Sequence, residues 1–200
     1  MKKGMFSLFF ICGVIFANAQ DIQLNAPQKT GGKSLMETLS ERKSERSYIK
    51  KEMSIQQLSD LLWATYGFNR EDKRTVPSSQ NRQEIDVYVM FDNGIYFYDA
   101  KENLLRLIKS GDFREVLGQP HISMDAAFSF VFVANLDKAS SRDAAFTDTG
   151  YISQNVYLYA ASFGLGTVAR GSFNRNELTQ VLNLNENQLI TLVQPIGFLQ

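Results

Sequence analysis

The chain has 200 residues, 44% of them hydrophobic, with 21 basic side chains, 21 acidic ones, one histidine and one cysteine. That even charge balance gives no electrostatic case for nucleic acid or an anionic membrane surface as a partner. So few histidines and cysteines argue against His-rich or Cys-based metal centres, a disulfide framework and Ser-His-Asp catalysis.

At the start, Lys2 and Lys3 precede an apolar run, Met5 to Phe16, that closes on Ala17-Asn18-Ala19. Residues 1–19 therefore read as a secretory signal peptide cleaved near Ala19, giving an exported (periplasmic or secreted) protein that begins at Gln20. The run is shorter than the ~20 residues of a membrane span, so the mature form is expected to have no stable span, with a retained anchor as the alternative. Cys12 leaves with the leader, and so do two lysines, leaving 19 basic against 21 acidic side chains, a formal charge of −2. The mature length suits one domain with a sizeable core.

Residues 20–33 are polar, with Pro27 and Gly31-Gly32, and read as an exposed linker; the domain is expected over 34–200. Ser34 with Glu37 has capping-box spacing, and Leu35, Met36 and Leu39 give a short amphipathic helix ending near Arg42. Ser54 with Gln57 opens a second helix, Ile55 to Tyr66, with Leu58, Leu61 and Leu62 at helical spacing before Gly67 stops it. Ile85 to Phe91, the turn Asp92-Asn93-Gly94 and Ile95 to Tyr98 form a hairpin signal. A short strand over Leu104 to Ile108 and a brief helix around Asp112 to Leu117 follow.

Lone His121, beside Pro120, reads as a loop or core residue. Phe128 to Leu136 is apolar throughout, as expected of a central strand covered on both faces. Ala144 to Phe163 is apolar almost all round, the pattern of a helix buried in a core or at a subunit interface. Asn174 with Glu177 caps a last helix through Leu182, and Leu189 to Phe198 forms a terminal strand. Helices mixed with hairpins around an antiparallel or mixed sheet define an α+β fold.

Three segments carry the residue types of a ligand site. Arg42-Lys43-Ser44-Glu45-Arg46 offers guanidinium groups and a hydroxyl that suit a phosphate monoester, although a solvated helix end has the same composition. Pro77-Ser78-Ser79-Gln80-Asn81-Arg82-Gln83 places several donor and acceptor side chains where they could face one planar heteroaromatic edge; a surface loop also looks like this. In Ala161 to Gly171, Gly164 and Gly166 permit close backbone approach to a ligand, or simply a helix end and a tight turn. Trp63, Tyr66, Phe68 and Tyr48 would line a flat pocket or belong to the core.

Taken in order, these segments resemble the nitroreductase superfamily of FMN-dependent flavoproteins, from Ser34 to the C-terminus. Arg42 to Arg46 is similar to its Arg-x-Ser-x-basic motif, and Pro77 to Gln83 to its Pro-Ser-Ser-x-Asn-x-Gln turn. Leu61 to Arg70, Arg74 to Ser78, Gly164 to Thr167 and Pro195 to Phe198 look closest to the branch that includes the azoline-peptide (SagB-type) dehydrogenases. The resemblance implies a nitroreductase-like α+β fold, a central mostly antiparallel sheet flanked by helices, and an intertwined homodimer with FMN at each interface. By family position, Arg42, Lys43 and Ser44 would hold the phosphate and ribityl chain, and Arg46 would stabilise the negative charge that reduction leaves at the flavin N1 and O2. Pro77, Ser78, Ser79 and Asn81 would reach the flavin edge from the opposite subunit, and the backbone of Ala169, Arg170 and Gly171 would donate to N5.

The activity so implied is an exported FMN-dependent oxidoreductase reducing a small planar acceptor, a nitroaromatic or quinone, by ping-pong turnover. The cofactor carries the hydride chemistry, so no side chain is expected to be catalytic. NAD(P)H is one candidate electron donor but does not suit an exported protein, for which a redox protein or quinol would serve; the donor stays open. Two departures stand out. Many members carry further basic residues after the final strand, which this chain, ending at Gln200, lacks, so phosphate affinity is expected to be weaker unless Lys43 compensates. Nothing resembles the segments that recruit peptides in the azoline branch. The competing expectation is a non-catalytic flavin-binding or scaffold protein that kept the fold.

Overall fold

The computed structural model describes residues 20–200; the expected leader, residues 1–19, lies outside the described residues. Ile22–Gln23 form strand β1, followed by helices α1 (Leu35–Glu41) and α2 (Ile55–Tyr66) and a small ribbon of β2 (Phe68–Arg70) and β3 (Lys73–Arg74). Next come β4 (Ile85–Met90), β5 (Gly94–Asp99) and β6 (Leu104–Ser110), then the short α3 (Pro120–Ser123) and β7 (Phe128–Asn135). The chain closes with α4 (Arg142–Ser162), β8 (Leu165–Thr167), α5 (Arg175–Val181) and β9 (Gln188–Phe198).

Seven strands make one sheet in the order β1-β6-β5-β4-β7-β9-β8, and every pairing in it is antiparallel. β7 sits near the centre because both its faces are apolar. Phe128, Phe130, Phe132 and Ala134 point into the larger core under α2 and α4, whereas Val131 and Val133 point to the opposite side with Leu117, Leu178 and Leu182. Period-two alternation thus feeds two cores from one strand. The sheet with flanking helices is the expected α+β architecture.

One expectation needs correcting, and two others gain detail. The expected exposed linker, residues 20–33, starts by docking: β1 pairs with β6, Leu24 is buried, and the Asn25 amide donates to Ser59 Oγ at 2.9 Å. Ile22 and Leu24 supply apolar contacts that a composition count over fourteen mostly polar residues hides. The capping box at Ser34 is present, yet Leu35, Met36 and Leu39 are exposed and Thr38 is the residue buried against the fold. Within one chain helix α4 is buried along one face, where Asp148, Thr149 and Ser153 sit among Ala145, Ile152 and Val156; Phe146 and Tyr151 are exposed, which leaves the subunit-interface alternative open for that side. Gly67 does end α2, with an ordinary negative φ; a Cβ there would meet the Trp63 carbonyl oxygen at 2.8 Å, so space sets the requirement.

Candidate cofactor site

Beyond α1 the chain runs as a strap over the edge of β8. The Arg42 amide caps α1 on Thr38 O, the Glu45 amide donates to Thr167 O, and the Ile49 amide donates to Phe198 O, each at 2.9 Å. Tyr48 is buried and donates its hydroxyl to Glu45 O at 2.7 Å; burial pushes its pKa well above the usual range, so it remains a donor. A Cβ on Gly166 would lie 2.9 Å from Glu45 Cβ and 3.2 Å from the Tyr48 ring. That glycine therefore serves strap packing. Gly164, at φ +70°, makes the turn after α4 and has open space around it.

Tyr157, on α4, joins the strap to the segment after β8. Its hydroxyl lies 2.9 Å from Ser44 Oγ and accepts the Ala169 amide at 2.9 Å, and the Arg42 guanidinium sits 5.2 Å from its ring centre. An open cleft here is lined by Lys33, Lys43, Glu45, Tyr157 and Gly164. Lys43 pairs with Glu45 at 2.6 Å and Lys33 pairs with Glu41, whereas Arg42 and Arg46 have no acidic partner among the described residues. Sequence reasoning missed Tyr157, whose position in an apolar-looking helix gave no sign that its hydroxyl would be used.

The three residues expected to offer backbone amides are not equivalent. Ala169 N–H is held by Tyr157, and Arg170 N–H donates to Val193 O at 2.8 Å; only Gly171 N–H is unengaged among the described residues. The Arg170 side chain is buried, with Nη2 donating to Leu117 O at 3.0 Å and Ser172 O at 3.0 Å while Nε and Nη1 have no partner. Burial lowers its pKa.

The Pro77 turn is a separate construction. Ser79–Asn81 form a single 3-10 turn in which Gln80 and Asn81 have φ of 54° and 56°, followed by Gln83 at 49°. Ser78 Oγ accepts the Gln83 amide at 3.0 Å; Asn81 Nδ2 and Gln83 Nε2 both donate to Asp72 O, at 3.2 and 2.8 Å. The Ser79 amide donates to Asp148 Oδ2 at 2.8 Å, and Ser140 Oγ donates to Ser79 Oγ at 2.8 Å. Side chains expected to face a ligand are thus largely engaged in shaping the turn and tying it to the ribbon and to α4.

The strap and the turn do not meet within one chain. Their anchors on α4, Tyr157 and Asp148, are nine residues apart, about 13 Å along the axis and about half a revolution around it. The aromatic residues also divide: Tyr48 belongs to the strap, while Arg74 lies 4.3 Å from the Tyr66 ring centre and 4.0 Å from that of Phe68. The Trp63 indole donates to Phe68 O at 3.0 Å. His121 is exposed on α3, whose Ile122 packs with Tyr48.

The strap beside this cleft carries groups that fit a phosphorylated ligand: the Arg42 and Arg46 guanidinium groups, without carboxylate partners among the described residues, and the Ser44 hydroxyl, next to a cleft whose own lining includes Lys33, Lys43 and Tyr157. A helix-flanked antiparallel sheet with such a cleft beside a cationic strap defines an α+β protein suited to hold a phosphorylated cofactor. The chain belongs to the nitroreductase family, whose profile matches residues 39–198. It is 30% identical over 181 residues to a nitroreductase-family protein of Methanocaldococcus jannaschii, covering 82% of this chain and 90% of that one. A nitroreductase-family crystal structure from Ralstonia eutropha superposes with a TM-score of 0.85 at 37% identity, covering 92% of this chain and 91% of the other. A chain of the Escherichia coli microcin synthetase McbBCD complex matches with a TM-score of 0.69 at 16% identity, covering 99% of this chain and 85% of that chain, a likeness of fold alone. The family is one of oxidoreductases, and FMN binding is general to it.

Proposed function

We propose that the protein is an FMN-dependent oxidoreductase that acts as a homodimer, each flavin lying between the strap of one protomer and the Pro77–Asn81 turn of its partner. The observation that carries this reading is the pair of guanidinium groups, Arg42 and Arg46, on the strap with Ser44, beside the cleft that Lys43 and Tyr157 line and without acidic partners among the described residues. Arg42 and Ser44 would bind the phosphate, with Lys43 adding charge once released from Glu45, and Arg46 would lie toward the flavin N1 and O2. Gly171 is the amide free to donate to N5. When bound, FMN supplies hydride and electron transfer; the protein positions it and tunes its potential.

Two features favour a second copy. Strap and turn project from opposite sides of α4, so one ligand can touch both only across an interface. Leu35, Met36, Leu39, Phe146 and Tyr151 are exposed apolar side chains on α1 and α4 that a partner would cover. Within the family we assign the chain to the branch of the azoline-peptide dehydrogenases on Leu61 to Arg70 and the Pro195 to Phe198 tail, without their peptide-modifying activity. The acceptor in this reading is a small planar nitroaromatic or quinone. The leader makes the protein exported, with a redox protein or quinol as donor; NAD(P)H would serve a protein retained in the cytoplasm.

The engaged amides of Ala169 and Arg170 favour the other reading, a flavin-binding or scaffold protein without turnover. Purified protein separates the two. Yellow protein, bleached by a reductant and reoxidised by a nitroaromatic or quinone with ping-pong kinetics, is the expected result. Flavin that binds but does not turn over supports the scaffold, and colourless protein that takes up no FMN on titration overturns the flavin assignment.

A further inference from the structure

Glu84, the residue before β4, is 1% exposed, and neither of its carboxyl oxygens has a hydrogen-bond partner among the described residues. Its backbone is fixed, since Glu84 O accepts the Asn135 amide at 2.9 Å. Facing it from α4 is Asp148, 4% exposed, whose Oδ2 holds the Ser79 amide. Arg82 of the turn is a cation that acts on Glu84, but its guanidinium is directed to Gln80 Oε1 and Lys138 O. With both carboxylates ionised and no cation between them, Glu84 would lack a donor and the two charges would repel one another. A single proton resolves both problems, because a protonated Glu84 becomes a donor to Asp148.

We propose that Glu84 and Asp148 form a carboxyl–carboxylate pair sharing one proton, and that this proton latches the Ser78–Asn81 turn to α4. The turn requires such a latch. Gln80, Asn81 and Gln83 all hold left-handed backbone conformations that non-glycine residues adopt at a cost, so outside tethers must keep them there. Asp148 is one of those tethers, and it keeps an oxygen for the Ser79 amide while the pair holds its proton. Ionisation of Glu84 would place two negative charges together in a buried site, and outward movement of Asp148 with the turn relieves that repulsion.

The direction with pH follows from the surroundings. Burial, the largest influence, raises the Glu84 pKa above its ordinary 4.5 and the adjoining Asp148 adds to it, while the backbone amide of Glu84 and, less strongly, Arg82 oppose the rise. A raised acid pKa in the folded state means that the stability it confers is complete below the ordinary glutamate range and is lost as pH rises through the folded-state value. The latch therefore opens on the alkaline side.

The experiment needs no flavin, so its failure is distinct from failure of the flavin assignment. The purified full chain is titrated while infrared spectra follow the protonated-carboxyl band, and hydrogen exchange follows the Ser79–Arg82 amides as protection factors. The wild type should show an acid band that disappears on raising the pH, with protection in the turn falling at least tenfold over the same range. Glu84→Gln, a permanent donor, should lack that band and keep its protection. Should Glu84→Gln fail to fold, Asp148→Asn serves instead, and the acid band should then titrate at a lower pH. A Glu84→Gln protein that follows the wild-type profile overturns the proposal. So does an Asp148→Asn band that titrates unchanged, or a stoichiometric metal ion in the wild type with no acid band.

Discussion

The hydroxyl of Tyr157 accepts the Ala169 amide at 2.9 Å, tying the second half of α4 to the segment that leaves β8. The same hydroxyl lies 2.9 Å from Ser44 Oγ, so one side chain aligns the strap and the backbone that follows β8. Tyr157→Phe leaves the Ala169 N–H without its partner and should lower stability by about 1–2 kcal/mol. Urea unfolding should show a lower midpoint with an unchanged slope. Combined with Ser44→Ala, the losses should be less than additive, because both substitutions remove the same contact.

Arg42 stands over Tyr157 rather than against a carboxylate, which leaves its guanidinium available to an anion. Arg42→Ala should weaken FMN binding by roughly 1.5–3 kcal/mol, the worth of a charge-assisted hydrogen bond. A fluorescence titration should read this as a tenfold to hundredfold rise in Kd. Equal affinity in wild type and variant would remove the phosphate role from the strap.

Arg114 is 4% exposed and is held by Asp112 through Nε to Oδ1 at 2.9 Å and Nη2 to Oδ2 at 2.7 Å. Asp112→Asn removes the charge facing a buried guanidinium and should cost about 2 kcal/mol, less than a fully buried pair because Asp112 is partly open to solvent. The hydrogen bond from Arg114 lowers the Asp112 pKa below its ordinary 3.8. Its stabilisation is thus present above that value and fades as pH falls through the folded-state pKa. The difference between wild type and variant should narrow in acid-titrated thermal melts.

Phe130 is fully buried on β7, with its ring 5.1 Å from that of Phe128 and 5.7 Å from that of Phe132. Phe130→Ala opens a cavity at the centre of the larger core and should cost about 3–5 kcal/mol, measured by chemical denaturation.

Much of the fold was legible because local signals agreed with the tertiary outcome. Ser34, Ser54 and Asn174 cap helices where their spacing said they would, and the Asp92-Asn93-Gly94 turn joins β4 to β5. The site was legible only as segments. Composition marked the strap and the turn, but not that Asn81 and Gln83 would be engaged by Asp72 O, which depends on a ribbon ten residues upstream. Tyr157, Asp148 and Glu84 were missed for a related reason: each acts through a partner distant in sequence, and helical or strand periodicity says nothing about such a partner. The exposed leucines of α1 show the converse, an amphipathic pattern correctly seen whose apolar side has no partner within one chain.

β1 has a further consequence. Without β1 the sheet would end at β6 on one side and at β8 on the other, and each of these borders is covered by a remote stretch of backbone: Ile22–Gln23 beside β6, where Asp21 also takes the Leu107 amide, and Glu45 on Thr167. Uncovered borders of this kind invite intermolecular strand addition. A shortened polypeptide starting at Ser34 would bare β6 and tend to self-associate into β-rich aggregates, so the dozen residues before α1 act as a built-in guard on the solubility of the whole domain.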